Sequence, residues 1–404
     1  MLKNYIYSFL EKRHFWRYAS FSEIAELYTS RTLRIVALNL ASGFASVYLY
    51  QEGFSLVQIM AYWVFFFLFK IPLTLGWTYF IARFGPKHGI LLSNILYIPA
   101  MVSLGLLPQF GFAAVIIWGL FMSSSASLYQ LCYLIDFSKV KNIQHAGSEI
   151  AFMNILEKIA VGVSPIVGGL VALFFGPPYV MWAAAVFFMI AAIPMLFTDE
   201  AVRTKQIIDW KGFPWRTLPT TITSQIGMGV DVVTTGHAWG LFIAIVIFPN
   251  AGNGVYVTLG TLSSVTILVA VFTSYAYGKL IDRRRGGTLL KFSVIANALV
   301  HISRAFATGP AAIVTANVTN EMATAGYNMA YMRGMFDTAD ISGHRIVYLS
   351  ITQIIANFGA AIGAGVLTIC AALIGNADGL RVYFFIAAGF VLLIGTARFR
   401  LYQR

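Results

Sequence analysis

The sequence alternates between long apolar runs and short polar segments, and this pattern predicts its secondary structure. Because a helix of about 20 apolar residues crosses the hydrocarbon core of a membrane, each run predicts one transmembrane helix. We predict twelve spans, at Leu33–Tyr50, Leu56–Phe80, Gly89–Leu107, Phe112–Ile135, Ser148–Phe175, Tyr179–Phe197, His237–Pro249, Val255–Tyr277, Leu290–Ala307, Pro310–Met332, Ile346–Ile374 and Val382–Ala397. The seventh is too short to cross unless its helix begins near Thr220. The predicted fold class is an all-α polytopic membrane protein.

Composition agrees with a lipid environment, because 58% of the 404 residues are hydrophobic and 11% are charged, against about 25% charged in soluble domains. The net charge of +12 does not indicate nucleic-acid binding, because the basic residues lie between apolar runs. Those on one side of the predicted membrane are Arg31, Arg34, Arg83, Lys87, Lys139, Lys141, Arg203, Lys205, Lys211, Arg216, Arg283, Arg284, Arg285, Arg333, Arg345, Arg398, Arg400 and Arg404. Since cytoplasmic loops are enriched in Lys and Arg, both termini are predicted to be cytoplasmic.

The longest polar segment between spans divides six predicted spans from six. We predict a cytoplasmic N-terminal segment at 1–30, an N-terminal six-helix bundle at 31–197, a linker at 198–216, a C-terminal six-helix bundle at 217–398 and a tail at 399–404. Residues 156–169 are similar to residues 351–364, which indicates a duplication with a substrate path at the interface. The basic residues before Arg31 interrupt any signal-peptide core, so the first span is expected to remain as an uncleaved anchor.

Two short turns occupy equivalent places in the two halves. The turn after the eighth span contains Gly278, Asp282, Arg283 and Arg285. The turn after the second span retains Arg83, Gly85 and Lys87, but Thr78 stands at the glycine position and Ala82 at the acidic one. With these turns, two six-span halves and a central linker, residues 31–398 resemble the major facilitator superfamily.

The resemblance implies that these turns form a cytoplasmic gate. In the family, the acid docks on the start of a helix in the other half, where the helix dipole favours a carboxylate by about 0.3–1 kcal/mol. Because Ala82 lacks the acid, we expect Asp282 to hold the gate against the start of the fifth span, near Glu149. The cytoplasmic gate is also expected to contain two ion pairs, Asp136 with Arg83 and Asp337 with Arg283.

The fifth span carries a stripe of small residues. Its segment with Ser164, Pro165, Gly168 and Gly169 resembles the motif that the family associates with antiporters. Small residues let a neighbouring helix approach closely, and proline can bend the helix. The alternative is ordinary helix packing, which every bundle needs.

Four charged residues well inside predicted spans are candidates for the central cavity: Lys70, Glu157, Lys158 and Glu321. A charge at the bilayer centre costs about 2.5–3.5 kcal/mol on insertion scales, so each needs a reason. Glu157 shares a helix face with the small-residue stripe and is a candidate proton carrier, or else a permanent partner of Lys70. Glu321 is a candidate substrate or proton site, or else a hydrogen-bond partner of Asn317 or Asn320.

Other polar residues receive weaker interpretations. Asn39, Gln130 and Tyr327 are candidates for the cavity wall, whose polar lining is expected to be sparse. Asp231 is interpreted as interfacial, at the cytoplasmic entrance of its span. Arg304 is expected to extend towards the outer surface from a peripheral helix, as long basic side chains do.

These observations favour a secondary active transporter that works by alternating access and exports a partly apolar or drug-like molecule in exchange for protons or another ion. The alternatives are a proton-coupled nutrient importer and a non-transporting or lipid-handling relative with the same fold. Phosphate loops and serine or zinc hydrolase motifs are not found, so an enzyme, a cofactor and a metal site are not expected. The compact loops suggest a bacterial inner membrane, and a monomer is the expected state.

Overall fold

The computed structural model describes residues 21–41, 44–140, 146–197, 205–215, 218–249, 252, 254–264, 267–283 and 285–402. Over these residues the chain is helical, with short turns and no strand. We label the long helical segments α1 (Phe21–Ala41 and Ala45–Gln51), α2 (Leu56–Phe84), α3 (Pro86–Gly105), α4 (Phe112–Val140), α5 (Ala146–Phe175), α6 (Pro177–Ala192), α7 (Pro219–Ile247), α8 (Gly254–Ser264 and Ile267–Asp282), α9 (Gly286–Arg304), α10 (Pro310–Ile341), α11 (Arg345–Ile374) and α12 (Asn376–Leu392).

Within the described ranges, nine helices are long and apolar enough to cross a membrane, namely α1 to α7, α11 and α12. The described pieces of α8 are 11 and 16 residues long, shorter than a span. The helices α9 and α10 are more polar, since they carry Lys291, His301 and Arg304 on one and Glu321 on the other. A multi-pass membrane protein is thus supported, while the number of twelve spans stays a prediction.

The seventh predicted span is longer than its apolar run. Its helix begins at Pro219 and reaches Ile247. The helix therefore begins near Thr220, as a seventh span long enough to cross the membrane requires. Two π-helical turns, Thr234–Ala238 and Ile243–Ile247, interrupt its α-helical geometry. Turns of this type occur often at functional sites, and this helix contributes His237 to the far-end gate described below.

The helices pack in two groups. Helices α1 to α6 pack mainly against one another, as do α7 to α12. Two long contacts join the groups, one between α2 and α11 and the other between α5 and α8. We call these groups the first and second bundles.

The termini of the described chain lie at one end of the molecule, which we call the terminal end. There the linker follows the end of α2, where the Gln206 amide donates to the Ala82 carbonyl at 2.8 Å. The Trp210 indole donates to the Tyr79 hydroxyl at 2.9 Å. The Tyr402 hydroxyl donates to the Ala330 carbonyl at 2.8 Å. The linker and the C-terminal turn therefore pack against helix ends at the same face of the molecule.

The small-residue stripe of α5 lies at close helix contacts, as its composition predicts. A side-chain carbon at Gly168 would collide with the carbonyl of Leu40 on α1. A carbon at Gly169 would lie 2.8 Å from the carbonyl oxygen of Tyr256 on α8, in the other bundle. The Ser164 hydroxyl donates to its own helix, to Ala160 O at 2.6 Å. Gly169 thus allows the two bundles to touch at the end opposite the termini.

This contact predicts that Gly169→Ala destabilises the protein. The added methyl group must separate α5 from α8, and overpacking of this kind costs about 1–3 kcal/mol. The matched control is Gly76→Ala on α2, where no atom lies within 4 Å of the added carbon. Because alanine favours a helix over glycine by about 0.5–1 kcal/mol, the control should unfold at an unchanged or higher temperature.

Thermal unfolding of the purified variants in one detergent measures both effects. Equal unfolding midpoints for the two variants would show that the contact at Gly169 is not close.

Candidate functional site

A cavity of about 390 Å³ lies between the two bundles, in the half of the molecule nearer the terminal end. This volume is within the range of about 300–1,000 Å³ that is usual for small-molecule sites. Six amide side chains line it: Gln130, Asn154, Gln225, Asn328, Gln353 and Asn357. Four methionines line it, Met228, Met329, Met332 and Met335, as do three charged residues, Arg31, Lys70 and Glu157. The expectation of a sparsely polar lining is therefore wrong.

Glu157 forms an ion pair with Arg31, within the first bundle. The Arg31 guanidinium also donates to the Tyr129 hydroxyl at 3.3 Å and lies 3.5 Å from the centre of the Tyr133 ring. The alternative that Glu157 pairs with Lys70 is wrong. It failed because α1 begins at Phe21, so Arg31 lies inside the helix and reaches the carboxylate.

Glu321 forms an ion pair with Lys158 that joins the two bundles. The Lys158 ammonium lies 2.8 Å from one carboxylate oxygen of Glu321 and 2.9 Å from the other. The partner of Glu321 is therefore neither Asn317 nor Asn320, the two alternatives that the sequence suggested. The Asn317 amide oxygen instead accepts from the Trp239 indole at 2.8 Å. Glu157 and Lys158 are adjacent on α5, so this helix holds one ion pair within its bundle and one across the boundary.

Lys70 lines the cavity without an anionic partner among the described residues. Its ammonium lies 5.5 Å from the ring centres of Phe66 and of Phe67. Contacts with aromatic faces contribute about 0.5–1 kcal/mol at exposed sites, which is less than the about 2.5–3.5 kcal/mol cost of a charge at mid-membrane. The side chain is half-buried, so the cavity must supply the rest of its solvation.

Asp231 is the centre of a buried polar network within the second bundle. One of its carboxylate oxygens accepts from the Asn297 amide at 2.9 Å and from His301 Nε2 at 2.6 Å. The other oxygen accepts from the Tyr327 hydroxyl. Arg304 lies 3.1 Å from His301 Nδ1 and can only donate, so His301 is the neutral tautomer with its proton on Nε2.

Two interpretations of this region are wrong. Asp231 is not interfacial, because the residue is 3% exposed and lies well inside α7. Arg304 does not extend to the surface, because it is 1% exposed and packs over the Trp239 ring at 4.9 Å. Tyr327 belongs to this network and not to the cavity lining.

A second buried network lies in the first bundle, and sequence reasoning missed it. Arg34 donates to the Asn94 amide oxygen at 2.7 Å and to the Ser125 hydroxyl at 3.1 Å. Its guanidinium lies 3.9 Å from the centre of the Tyr129 ring. The duplication of the sequence could have indicated this network, because Asn94 on the third helix of the first half matches Asn297 on the third helix of the second half.

At the end opposite the termini, the cavity is closed by contacts between α1, α2 and α7. The His237 ring stacks on Trp63 with centroids 3.7 Å apart, and its Nδ1 lies 3.3 Å from the Ser46 hydroxyl. Further out, Gln51 donates to the Gly252 carbonyl at 2.8 Å and accepts from the Tyr256 hydroxyl at 2.5 Å. These residues form the far-end gate, which sequence reasoning did not identify.

The expected gate residues lie at or near the terminal end, on separate helix ends. Gly85 has a φ of +91°, a conformation that favours glycine, and turns α2 into α3. Thr78, at the degraded glycine position, lies 2.8 Å from the Ser350 hydroxyl on α11 and so joins the bundles. Arg83, Asp282, Arg283 and Arg285 are exposed, Asp136 and Gly278 are buried, and Asp337 is half-buried.

The docking of Asp282 near Glu149 stays a prediction, because the Glu149 side chain lies outside the described residues. Of the remaining candidates, Gln130 faces the cavity, whereas Asn39 donates to the Ile35 carbonyl of its own helix at 2.8 Å.

Comparison with known families finds one match over most of the chain. A sequence model of the Major Facilitator Superfamily matches residues 27–339. Comparison with curated protein sequences finds no match.

Several solved transporter structures share the fold. The E. coli fucose:proton symporter FucP has a TM-score of 0.63 at 12% identity, covering 94% of this chain and 99% of that one. The human organic anion transporter MFSD10 has a TM-score of 0.66 at 11% identity, covering 92% and 97%. A bacterial homologue of the iron transporter ferroportin has a TM-score of 0.65 at 13% identity, covering 92% and 97%. At such low identities these similarities show the fold alone.

The buried network predicts that Asp231→Ala strongly destabilises the protein. Removing one partner of a buried ionic cluster costs about 3–5 kcal/mol, because the remaining charge stays buried without compensation. The control is Asp378→Ala, which removes an exposed pair with Arg381 whose side chains are 69% and 43% exposed. Surface pairs contribute about 0–1 kcal/mol, so the control should be nearly neutral. Denaturant unfolding in mixed micelles compares the two variants, and similar losses would show that the Asp231 cluster adds no stability.

Proposed function

The chain belongs to the Major Facilitator Superfamily, and on that basis we propose that it is a secondary active transporter that moves a small molecule through the central cavity by alternating access. The observation that carries the proposal is the cavity itself, which lies between the bundles and is closed at one end by the far-end gate. Parallel six-helix repeats place transported substrates at this interface. If the termini are cytoplasmic, the far-end gate closes the cavity on the outer side of the membrane.

The lining supports a substrate that is partly apolar. Four methionine side chains provide a soft and adaptable apolar wall, which suits ligands of variable shape. We propose export as the direction, on the strength of the α5 stripe. Gly169 lies at the contact between the bundles, where an antiporter-type motif would act.

Proton coupling is assigned to Glu321. Its ion pair with Lys158 crosses the boundary between the bundles, so protonation of the carboxylate would remove an electrostatic link that must break when they separate. Glu157 serves the substrate side, because it lines the cavity and its partner Arg31 lies in the same bundle. A proton taken up at Glu321 would thus release the bundles, while the Glu157 pair persists through the cycle.

An importer is the second candidate, and the six amide side chains favour it because amides recognise hydroxyl and carbonyl groups of hydrophilic nutrients. The absence of an acid at Ala82 is the feature that favours a non-transporting relative instead. Transport measurements separate the three possibilities.

Currents on solid-supported membranes carrying the reconstituted protein provide the test. Antibiotics, lipophilic ions, sugars, amino acids and lysolipids would be perfused with and without a pH gradient. We expect currents for a partly apolar compound. The direction in which the pH gradient drives these currents should indicate antiport. A current only for a sugar or amino acid, moving with protons, would contradict export and support the importer. Absence of current and of tracer counterflow in folded protein would contradict transport altogether.

The variant Glu321→Gln should reduce gradient-driven transport by about tenfold or more, which corresponds to about 1.4 kcal/mol, while tracer counterflow persists. The amide keeps the size of the side chain but removes the charge and the exchangeable proton. Asp378→Asn is the control, because that carboxylate lies on an exposed surface pair. Equal gradient dependence in Glu321→Gln and the wild type would remove Glu321 from the coupling mechanism.

A further inference from the structure

We infer that the transported molecule is an organic anion with an apolar body, and that Lys70 binds its charged group. This inference rests on the proposed function and specifies its substrate class. The charged residues that line the cavity are two cations and one anion. Arg31 and Glu157 neutralise each other, so Lys70 leaves one positive charge facing the space between the bundles.

Lys70 differs from the other buried cations of the described chain in its surroundings. Arg34 donates to Asn94 and Ser125, and Arg304 lies in the Asp231 network. Lys158 contacts both oxygens of Glu321. Each of these cations therefore has polar partners provided by the fold, whereas the Lys70 ammonium lies over the rings of Phe66 and Phe67 and has no anionic partner among the described side chains.

The same geometry disfavours a cationic substrate. A cation entering the cavity would approach Lys70, while the carboxylate of Glu157 is already engaged by Arg31. A carboxylate or sulfonate would instead make a charge-assisted hydrogen bond with the Lys70 ammonium. The methionines and Phe67 would cover the apolar body, and the amide side chains would bind any further polar groups.

Lys70 is also close to the far-end gate. Phe67 lies 5.5 Å from the Lys70 ammonium and 6.4 Å from the His237 ring, so one side chain contacts both the charge and the gate. An anion bound at Lys70 would therefore sit beside the residues that must separate for release on the far side. At this position, binding of the substrate can change the contacts of the far-end gate.

The test uses matched probes that differ only in the head group. Phenylbutyrate, phenylbutanamide and phenylpropylamine form one series, and naphthylacetate, naphthylacetamide and naphthylmethylamine form a second. Binding to the full chain in lipid nanodiscs is measured by isothermal titration, with protein-free nanodiscs to subtract partitioning. We expect the carboxylate of a series to bind at least about tenfold more tightly than its own amide, and the amine to bind most weakly.

The variant Lys70→Met should lower carboxylate affinity to that of the amide and leave the affinity for the amide unchanged. Lys70→Arg keeps the charge and should retain most of the preference. Lys211→Met is the control, because this exposed linker residue lies outside the cavity lining. If no carboxylate binds more tightly than its own amide in the wild type, the inference is wrong, whatever the variants do. An equal loss for all three head groups in Lys70→Met would also overturn it.

Counterflow of the same probes in proteoliposomes separates this inference from the transport proposal. Charge-selective binding without flux would retain the anion site and contradict transport. Flux of the amide or amine without preference for the carboxylate would retain transport and contradict the anion site.

Discussion

A charged side chain inside the hydrocarbon layer of a membrane raises the free energy of the protein, and most of the polar contacts in the structure reduce that cost. The spans contain acids and bases that a soluble protein would leave at its surface. In the described chain these charges occur mainly as pairs or clusters that connect different helices, such as Arg31 with Glu157, and Asp231 with Arg304 through the neutral His301. Each pairing requires its helices to keep a defined rotation about their axes, so electrostatics complements the weak specificity of apolar packing in lipid.

The polar contacts divide into those that hold each bundle together and those that connect the bundles. The Arg34 and Asp231 networks lie within their own bundles and are almost completely buried, so they make each bundle a rigid unit. The bonds between bundles include Lys158 with Glu321, Thr78 with Ser350, Asn154 with Ser274 and those of the far-end gate. Rigid halves whose mutual contacts can separate and re-form are what a rocking motion requires.

The hydrophobic pattern was sufficient to predict the helical class, and the turn and repeat motifs were sufficient to identify the family. The partners of the intramembrane charges could not be predicted, because they depend on where each helix begins and how it is rotated. Arg31 and Asp231 show this clearly. The limit of the first apolar run places Arg31 at the membrane surface, and the 200-residue offset between the halves places Asp231 there too. The helices α1 and α7 extend beyond their apolar runs and bring both side chains inside. Apart from Gln130, the amide lining could not be predicted, because its six members come from five helices that are distant in sequence.

The solitary charge of Lys70 has an electrical consequence. Without an anion the cavity carries one net positive charge, whereas with a monovalent anion bound it is neutral. A membrane potential acts on the first form and not on the second, with a strength of about 2.3 kcal/mol per elementary charge per 100 mV for a full crossing. Reorientation of the unloaded protein would therefore be the voltage-sensitive part of the cycle, and a negative cell interior would hold the unloaded cavity on the inner side.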